Sequence, residues 1–528
     1  MDWLSGIWDL ISDNKAFLNL IAFILFIISI ISLFSGVSGK LPWPWNQRNL
    51  DEKQRFSLIF IFGVLLILIF GLIKQQNTVI QISPTPTGTP IKNTELSSDY
   101  NCQNTNKIWS YGDCSFFKIE TDSPKEKGIK AFSLKEQKSQ AAQYLRESLD
   151  SLKNDPETRI FYNNAQIRED KPLTITVSVP INNKNASEEI LRGVAQAQEE
   201  INQEGIGINK EQLQVIIAND KNDPEEAQKV AKEIAENTES LGVIGHYASD
   251  VTLKVSDTYK EKRLVAISPI SSSVELTEKC NNYIFRTIPT DADAAKKLVE
   301  HLKNERKLKA AVFYYSQSNY SNSLKSKFVE NLEKEGGKVP FTFDLSDNNV
   351  KISESVDQAD KDGVNVLMLA FPSDKLEEGL SGLLFANKNN IDLLAADDVY
   401  TGNTLKYGKQ NVEGMVIAIP WHIDANRTSE FVKKSKELWG DVDINWRTAT
   451  AYDAAKALIE AIKNIEATNN KPSKTEVQKK LLSNNFFAKG ASNKVSFTTC
   501  GDRFAPQVQL VKIVKDDKAT YGYSFKPI

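Results

Sequence analysis

Histidine is scarce in this chain: only His246, His301 and His422 occur in 528 residues, and none is spaced to pair with another. Cysteine is nearly as rare, with four residues in no CxxC or Cys/His arrangement of the kind zinc sites use. No GxSxG segment marks a nucleophile elbow. The segment GVSGK at 36–40 is too short to cradle a phosphate, and no glycine-rich dinucleotide fingerprint follows the first strand-like run. The sequence therefore offers no catalytic residue, no metal set and no cofactor motif, and the expectation is a protein that is not an enzyme. His246 stands at a strand end, where a structural hydrogen-bonding role is expected of it. An excess of positive charge is also missing. Lys and Arg total 65 against 68 Asp and Glu, a net charge of −3 spread along the length, so the basic stripe of a nucleic-acid binder is absent.

Long hydrophobic runs are present, and only near the start. Ala16 to Phe34 and Phe56 to Ile73 are almost unbroken apolar stretches. At 1.5 Å per residue each would make a helix of about 27 Å, close to the thickness of a bilayer core. They read as transmembrane helices 16–34 and 56–73 within a membrane anchor spanning 1–80. The loop between them carries Lys40, Arg48, Lys53 and Arg55, whereas Lys15 and Lys74 are the only basic residues at the outer flanks. The positive-inside rule puts that loop in the cytoplasm and both termini outside, with Trp43 and Trp45 at interfacial depth. The first run is too long for a cleaved signal peptide. The chain as a whole is 41% hydrophobic and 25% charged, which argues for folded rather than disordered structure.

Beyond the anchor, QISPTPTGTP reads as an extended spacer, and 81–132 as a linker holding a cysteine loop. Residues 133–170 read as a helical pair resembling one tetratricopeptide-type repeat, with the stripe Ala142, Leu145, Leu149 and Leu152 and a second helix start at Asp155-Pro156. A lone pair cannot form a solenoid, so packing on the following domain is expected. From 171 the pattern becomes apolar strand, helix, apolar strand, with runs such as LTITVSVPI (173–181), LQVIIAND (213–220) and VNVLMLAF (364–371). A first helix is predicted with Asn185 as N-cap and Glu188 completing a capping box, and a second opens at Asp223-Pro224. Strands apolar along their length suit a parallel sheet covered on both faces. There are too many for one sheet, so the predicted class is α/β with two doubly wound, Rossmann-like lobes that bind a ligand at the strands' carboxyl ends.

Three strand ends share small hydroxyl residues leading toward a helix: GHYASD (245–250), SPISSS (268–273) and SQSNYS (316–321). Amides at a helix start, helped by serine hydroxyls, suit a carboxylate. AADDVY (395–400) offers adjacent acids, suited to an ammonium group.

These segments, with LVAISPISSSVELT, YIFRTIPTDADAA, VFYYSQSNYSNSLKSKF, EGMVIAIPW and TAYDAAKAL in order, make 171–528 resemble the type I periplasmic binding proteins, specifically the branched-chain amino-acid (Leu/Ile/Val) receptors of ABC transporters. The resemblance implies lobe 1 at about 171–286 and 421–494, lobe 2 at about 287–420 and 495–528, three crossover strands and closure on the ligand about a hinge. It also implies roles for residues. Ser249 would hold the ligand carboxylate, joined by Ile270, Ser271 and Ser272 of the SPxxS turn. Tyr320 would lie over the ligand, Phe371 would line the pocket, and Asp398, or Asp397 one position earlier, would take the ammonium. Trp421 would narrow the pocket or pack the hinge. Two departures stand out: Asp replaces a longer acid at 397–398, and Phe371 lacks the hydroxyl of the family's frequent tyrosine.

The cysteines permit three pairings. In an oxidising compartment Cys102–Cys114 and Cys280–Cys500 are favoured, and in the family's architecture the second would tie hinge strands and limit opening. The expected whole is a receptor multiply anchored in a bacterial inner membrane, its large C-terminal part extracytoplasmic. It would take a small amino-acid-like ligand and work with a membrane permease, or alternatively signal to a membrane partner without transport.

Overall fold

The strand-like runs become two sheets. In the computed structural model residues 100–528 are described, apart from 135–136, 204–206, 387–390, 443 and 466–470. The two apolar runs and the Pro/Thr spacer lie outside the described residues. Among the described residues no helix is long and apolar enough to cross a membrane.

The first sheet has the order β1-β3-β2-β4-β5-β6. It comprises β1 (Trp109–Ser110), β2 (Leu173–Val179), β3 (Leu213–Asn219), β4 (Ser240–Ile244), β5 (Ala266–Ser268) and β6 (Ile284–Arg286). β2 to β6 are parallel and β1 runs antiparallel on the β3 edge. Every residue of β2 is buried, as expected where helices cover both faces. The second sheet is built from β7 (Lys309–Tyr314), β8 (Lys338–Asp344), β9 (Val366–Ala370), β10 (Asp392–Ala396) and β11 (Val416–Ile419), all parallel. A short hairpin of β12 (Ala488–Lys489) and β13 (Lys494–Val495) stands apart, and β14 (Gln509–Lys515) and β15 (Tyr523–Pro527) close the second sheet antiparallel, giving β15-β14-β11-β10-β9-β7-β8.

The helix Lys184–Gln203 starts two residues earlier than Asn185 would allow as its cap. Asn183 accepts the Ala186 amide at 3.3 Å instead, and Glu188 pairs with Arg192 at 3.3 Å. Its apolar face lies on the helix Trp446–Lys463, so the chain returns to the first lobe after β11. The two helices touch at Gly193, where a methyl group would come within 2.3 Å of the Thr448 carbonyl oxygen. Asp223 and Asp155 cap their helices as the Asp-Pro pairs predict.

The segment before β2 is more than a linker and a helical pair. A third helix, Pro124–Ser133, precedes Lys138–Ser151 and Pro156–Ala165, inside the stretch read as linker. The sequence signal was there in Ser123-Pro124, whose serine hydroxyl accepts the Glu126 amide. The disulfide Cys102–Cys114 closes the loop beside it. Glu157 is wholly buried and accepts from Ser115 Oγ at 2.5 Å and the Phe116 amide at 2.7 Å, with Lys125 at 2.8 Å as its counter-ion. Asn164 donates to the carbonyls of Tyr111 and Val215, each at 2.8 Å, and so locks this segment to β3.

The chain crosses between the sheets after β6, after β11 and before β14. The first and third crossings are held together. Cys280 is bonded to Cys500. Buried Arg286 reaches Asp502 at 2.7 Å, the Ser273 carbonyl at 2.7 Å and Thr277 Oγ1 at 2.6 Å.

Candidate ligand-binding cleft

β4 turns at Ile244 into the helix Ser249–Glu261, whose first residue is Ser249. Ala248, at the cap position, supplies no side-chain oxygen, so the amides of this first turn are not bound by a capping side chain. Ser249 Oγ accepts the Ser273 amide at 3.3 Å, which joins this turn to the loop after β5. In the facing lobe β10 ends in the short 3-10 turn Asp397–Val399, and the helix Asn319–Lys334 begins beside it.

Between them lies a cavity of about 440 Å³, lined on the first lobe by Ser249, Ile270 and Asn222 and on the second by Tyr315, Tyr320, Asp397 and Asp398. Tyr320 donates its hydroxyl to Asp397 Oδ1 at 3.0 Å, and the Asp398 amide donates to the same oxygen at 3.1 Å. Asp398 accepts from Tyr247 OH at 3.2 Å and from the Ser373 amide at 3.2 Å, and faces the Arg447 guanidinium at 3.7 Å. Burial, then the neighbouring Asp398 charge, holds Asp397 well above the usual carboxylate range. Burial raises Asp398 as well, although Arg447 pulls the other way. Behind them Asp291, fully buried among the Ser323 and Ser272 hydroxyls, is pushed up to about 7 by its desolvation.

Of the residues singled out from the sequence, Ser249, Ile270, Tyr320, Asp397 and Asp398 share this cavity. Ser272 stands beside Asp291. Ser271 does not line the cavity: its hydroxyl bonds Thr252 at 2.7 Å and the Tyr247 carbonyl at 3.1 Å, holding the two loops together. Phe371 is fully buried, packed edge-on against Tyr315 with ring centres 5.7 Å apart, so it supports a lining residue from behind. Trp421 sits elsewhere, donating Nε1 to Ser492 at 2.7 Å and packing on Phe431, beside a small crevice with Thr287 and Arg503. Its packing role at the crossing prevails over pocket-narrowing because its indole N–H is already satisfied there. His246 is buried with both ring nitrogens engaged, Asp220 at 2.6 Å and Tyr259 at 2.9 Å. Among the described residues no group of three or more His, Cys, Asp or Glu side chains is arranged to hold a metal ion.

Contributors unseen in the sequence include Tyr247, Ser373 and Arg447, together with the lining residues Asn222 and Tyr315. Tyr247 lies two residues before Ser249, and its size and position at a strand end were the available signal. Ser373 and Arg447 carry no local pattern that distinguishes them.

The periplasmic binding protein family matches residues 181–518. A Leu/Ile/Val-binding protein homolog from Brucella suis is 25% identical over 359 residues, 66% of this chain and 93% of that protein. An amino acid binding protein from Pseudomonas aeruginosa is 30% identical over 168 residues, and there the match spans 31% of this chain and only 45% of the relative. Among solved structures, an ABC transporter substrate-binding protein from Desulfitobacterium hafniense in complex with Leu superposes with a TM-score of 0.57 at 22% identity, covering 67% of this chain and all of that one.

Proposed function

The chain belongs to the periplasmic binding protein family, and from that premise we propose that it is a membrane-anchored extracytoplasmic receptor that clamps an amino-acid zwitterion for an ABC-type uptake system. One observation carries the reading: a single cavity has a helix start with Ser249 on one wall and the Asp397–Asp398 pair on the other. Helix-terminal amides and a serine hydroxyl suit a carboxylate. Asp397 and Asp398, once ionised, set two carboxylates beside the Arg447 guanidinium, which Glu189 also meets at 3.3 Å, so this wall suits an ammonium group. A ligand held at both ends bridges the lobes, and its binding energy favours their closure.

The names of the relatives, which include Leu/Ile/Val-binding proteins, support an amino acid as the ligand and a permease as the partner. The two apolar runs and the basic loop between them support anchoring in the inner membrane with the binding lobes outside. The test is calorimetry of the full-length protein in detergent against the common amino acids. Saturable binding of at least one supports the reading, and no binding by any of them would reject it.

A further inference from the structure

The cleft between the lobes is not one space. A second cavity, of about 760 Å³, adjoins the first and is lined by residues such as Asn183, Glu189, Tyr400 and Arg447. Among the described residues only Tyr247 and Ser373 line both cavities. They come from opposite lobes and bond directly, Tyr247 OH to Ser373 Oγ at 2.9 Å. The same phenol hydroxyl donates to Asp398 at 3.2 Å. The Arg447 guanidinium stands 6.0 Å from the Tyr247 ring centre, on the side of the larger cavity. Tyr247 is thus a buried partition, fixed at its tip by donating to Asp398 and accepting from the Ser373 hydroxyl, and at its backbone by the Ser271 hydroxyl on its carbonyl at 3.1 Å.

We propose that Tyr247 is a specificity-determining residue that sets ligand length. It closes the chamber holding Ser249, Asp397 and Asp398 against the larger cavity, so that compact zwitterions fit and extended ones are excluded. This rests on the amino-acid reading above. An extended zwitterion could be seated at one end by the same charged groups, but its remaining length would have to pass through the Tyr247–Ser373 contact. The energetic barrier is the loss of that contact and the steric bulk of the ring, and both disappear when the ring is truncated.

The probes are alanine and its di-, tri- and tetrapeptide, which keep the zwitterion and change only its length, titrated into the full-length protein by calorimetry. Wild type should lose at least tenfold in affinity between the shortest and the longest. In Tyr247→Ala that loss should shrink to threefold or less, while Tyr247→Phe, which keeps the ring and gives up only the hydroxyl contact, should retain at least a fivefold loss. A Tyr247→Ala protein with the wild-type length profile overturns the proposal and leaves the amino-acid reading standing. Failure of every probe to bind either protein overturns the length proposal, while the amino-acid reading falls only if the wider panel of common amino acids also fails to bind. A ligand-independent readout guards against a misfolded variant. Far-ultraviolet circular dichroism and a urea melt supply it, and if Tyr247→Ala proves unfolded, Tyr247→Leu, which also removes the ring, is titrated in its place; a wild-type length profile in a folded Tyr247→Leu overturns the proposal.

Discussion

Replacing Asp397 by asparagine separates binding from stability in opposite directions. Asparagine keeps the shape, and its carbonyl oxygen can still accept the Tyr320 hydroxyl that Asp397 now accepts at 3.0 Å. What it removes is charge. With Asp397 neutralised, Asp398 remains but faces Arg447 at 3.7 Å, so the wall has one carboxylate fewer for an ammonium. A charge-assisted hydrogen bond contributes about 1.5–3 kcal/mol, so affinity should fall about tenfold to about 150-fold. The buried carboxyl is costly in the folded state, since burial and Asp398 hold its pKa well above the ordinary range. Asn should therefore raise the melting temperature at pH 8. A carboxyl with a raised pKa holds its proton more readily, and an ammonium competes with that proton, so affinity should drop as pH is lowered. The measured heat should also vary with the buffer's ionisation enthalpy, and in Asp397→Asn this dependence should shrink. Calorimetry in two buffers, with a thermal melt on each protein, reads all three effects. A variant whose Kd stays within twofold of wild type while its fold is intact would refute the placement of the ammonium at Asp397.

Ser249→Ala should weaken binding about tenfold, the equivalent of roughly 1.5 kcal/mol for one hydrogen bond to a charged group, with little change in far-ultraviolet circular dichroism. Gly193→Ala should destabilise by about 1–3 kcal/mol in urea titrations, because the new methyl would sit 2.3 Å from the Thr448 carbonyl oxygen and force apart the helices Lys184–Gln203 and Trp446–Lys463. Asp291 has a folded pKa raised to about 7 from an ordinary value of 3.8, so the native state keeps a proton that the unfolded chain gives up between those values. Its contribution is present at the acid end and lost as pH rises through 7, by at most the order of 4 kcal/mol. Asp291→Asn should flatten that decline in urea melts at pH 5 and pH 8, and parallel wild-type and variant profiles would contradict the assignment.

How much of this was legible beforehand follows from which residues carry a local signal. β2, β3, β9 and β10 announce themselves because they are buried on both faces and so read as continuous apolar runs. β8 lies at the sheet edge with alternating exposure, and KVPFTFD lacks such a run. β1 is two residues long and owes its place to pairing with β3 rather than to its own composition. Residues that share the cavity were legible where a strand end meets a helix start, as at Ser249, Tyr320 and Asp397. Phe371 and Trp421 show the limit: an aromatic residue at a strand end can turn into the core or against a neighbouring helix, and the choice depends on partners distant in sequence. Arg447 reaches the cleft only because the helix Trp446–Lys463 returns to the first lobe, a tertiary fact with no local signature.

The lobes are joined by direct bonds as well as by whatever the cleft would hold. Tyr247 bonds Ser373 and Asp398, Arg447 faces Asp398, the Asn319 amide donates to both oxygens of Asp250 at 3.1 and 3.2 Å, and the Val274 amide donates to Ser323 Oγ at 3.1 Å. Hydrogen bonds contribute about 0.5–1.5 kcal/mol each, and more where a partner is charged, so together they stabilise the touching arrangement by several kcal/mol before any ligand contribution. Shifting a two-state clamp from one per cent to ninety-nine per cent closed takes about 5.5 kcal/mol. The cross-lobe bonds already count in the ligand-free balance of the proposed receptor, so the more they favour contact, the smaller the shift the zwitterion has to supply. The Cys280–Cys500 bond and the Arg286–Asp502 pair at 2.7 Å tie the first and third crossings, and in the proposed receptor they would act on the open state by limiting how far the lobes separate. A hinge held in this way narrows the open ensemble, and a narrower open ensemble loses less entropy on closing.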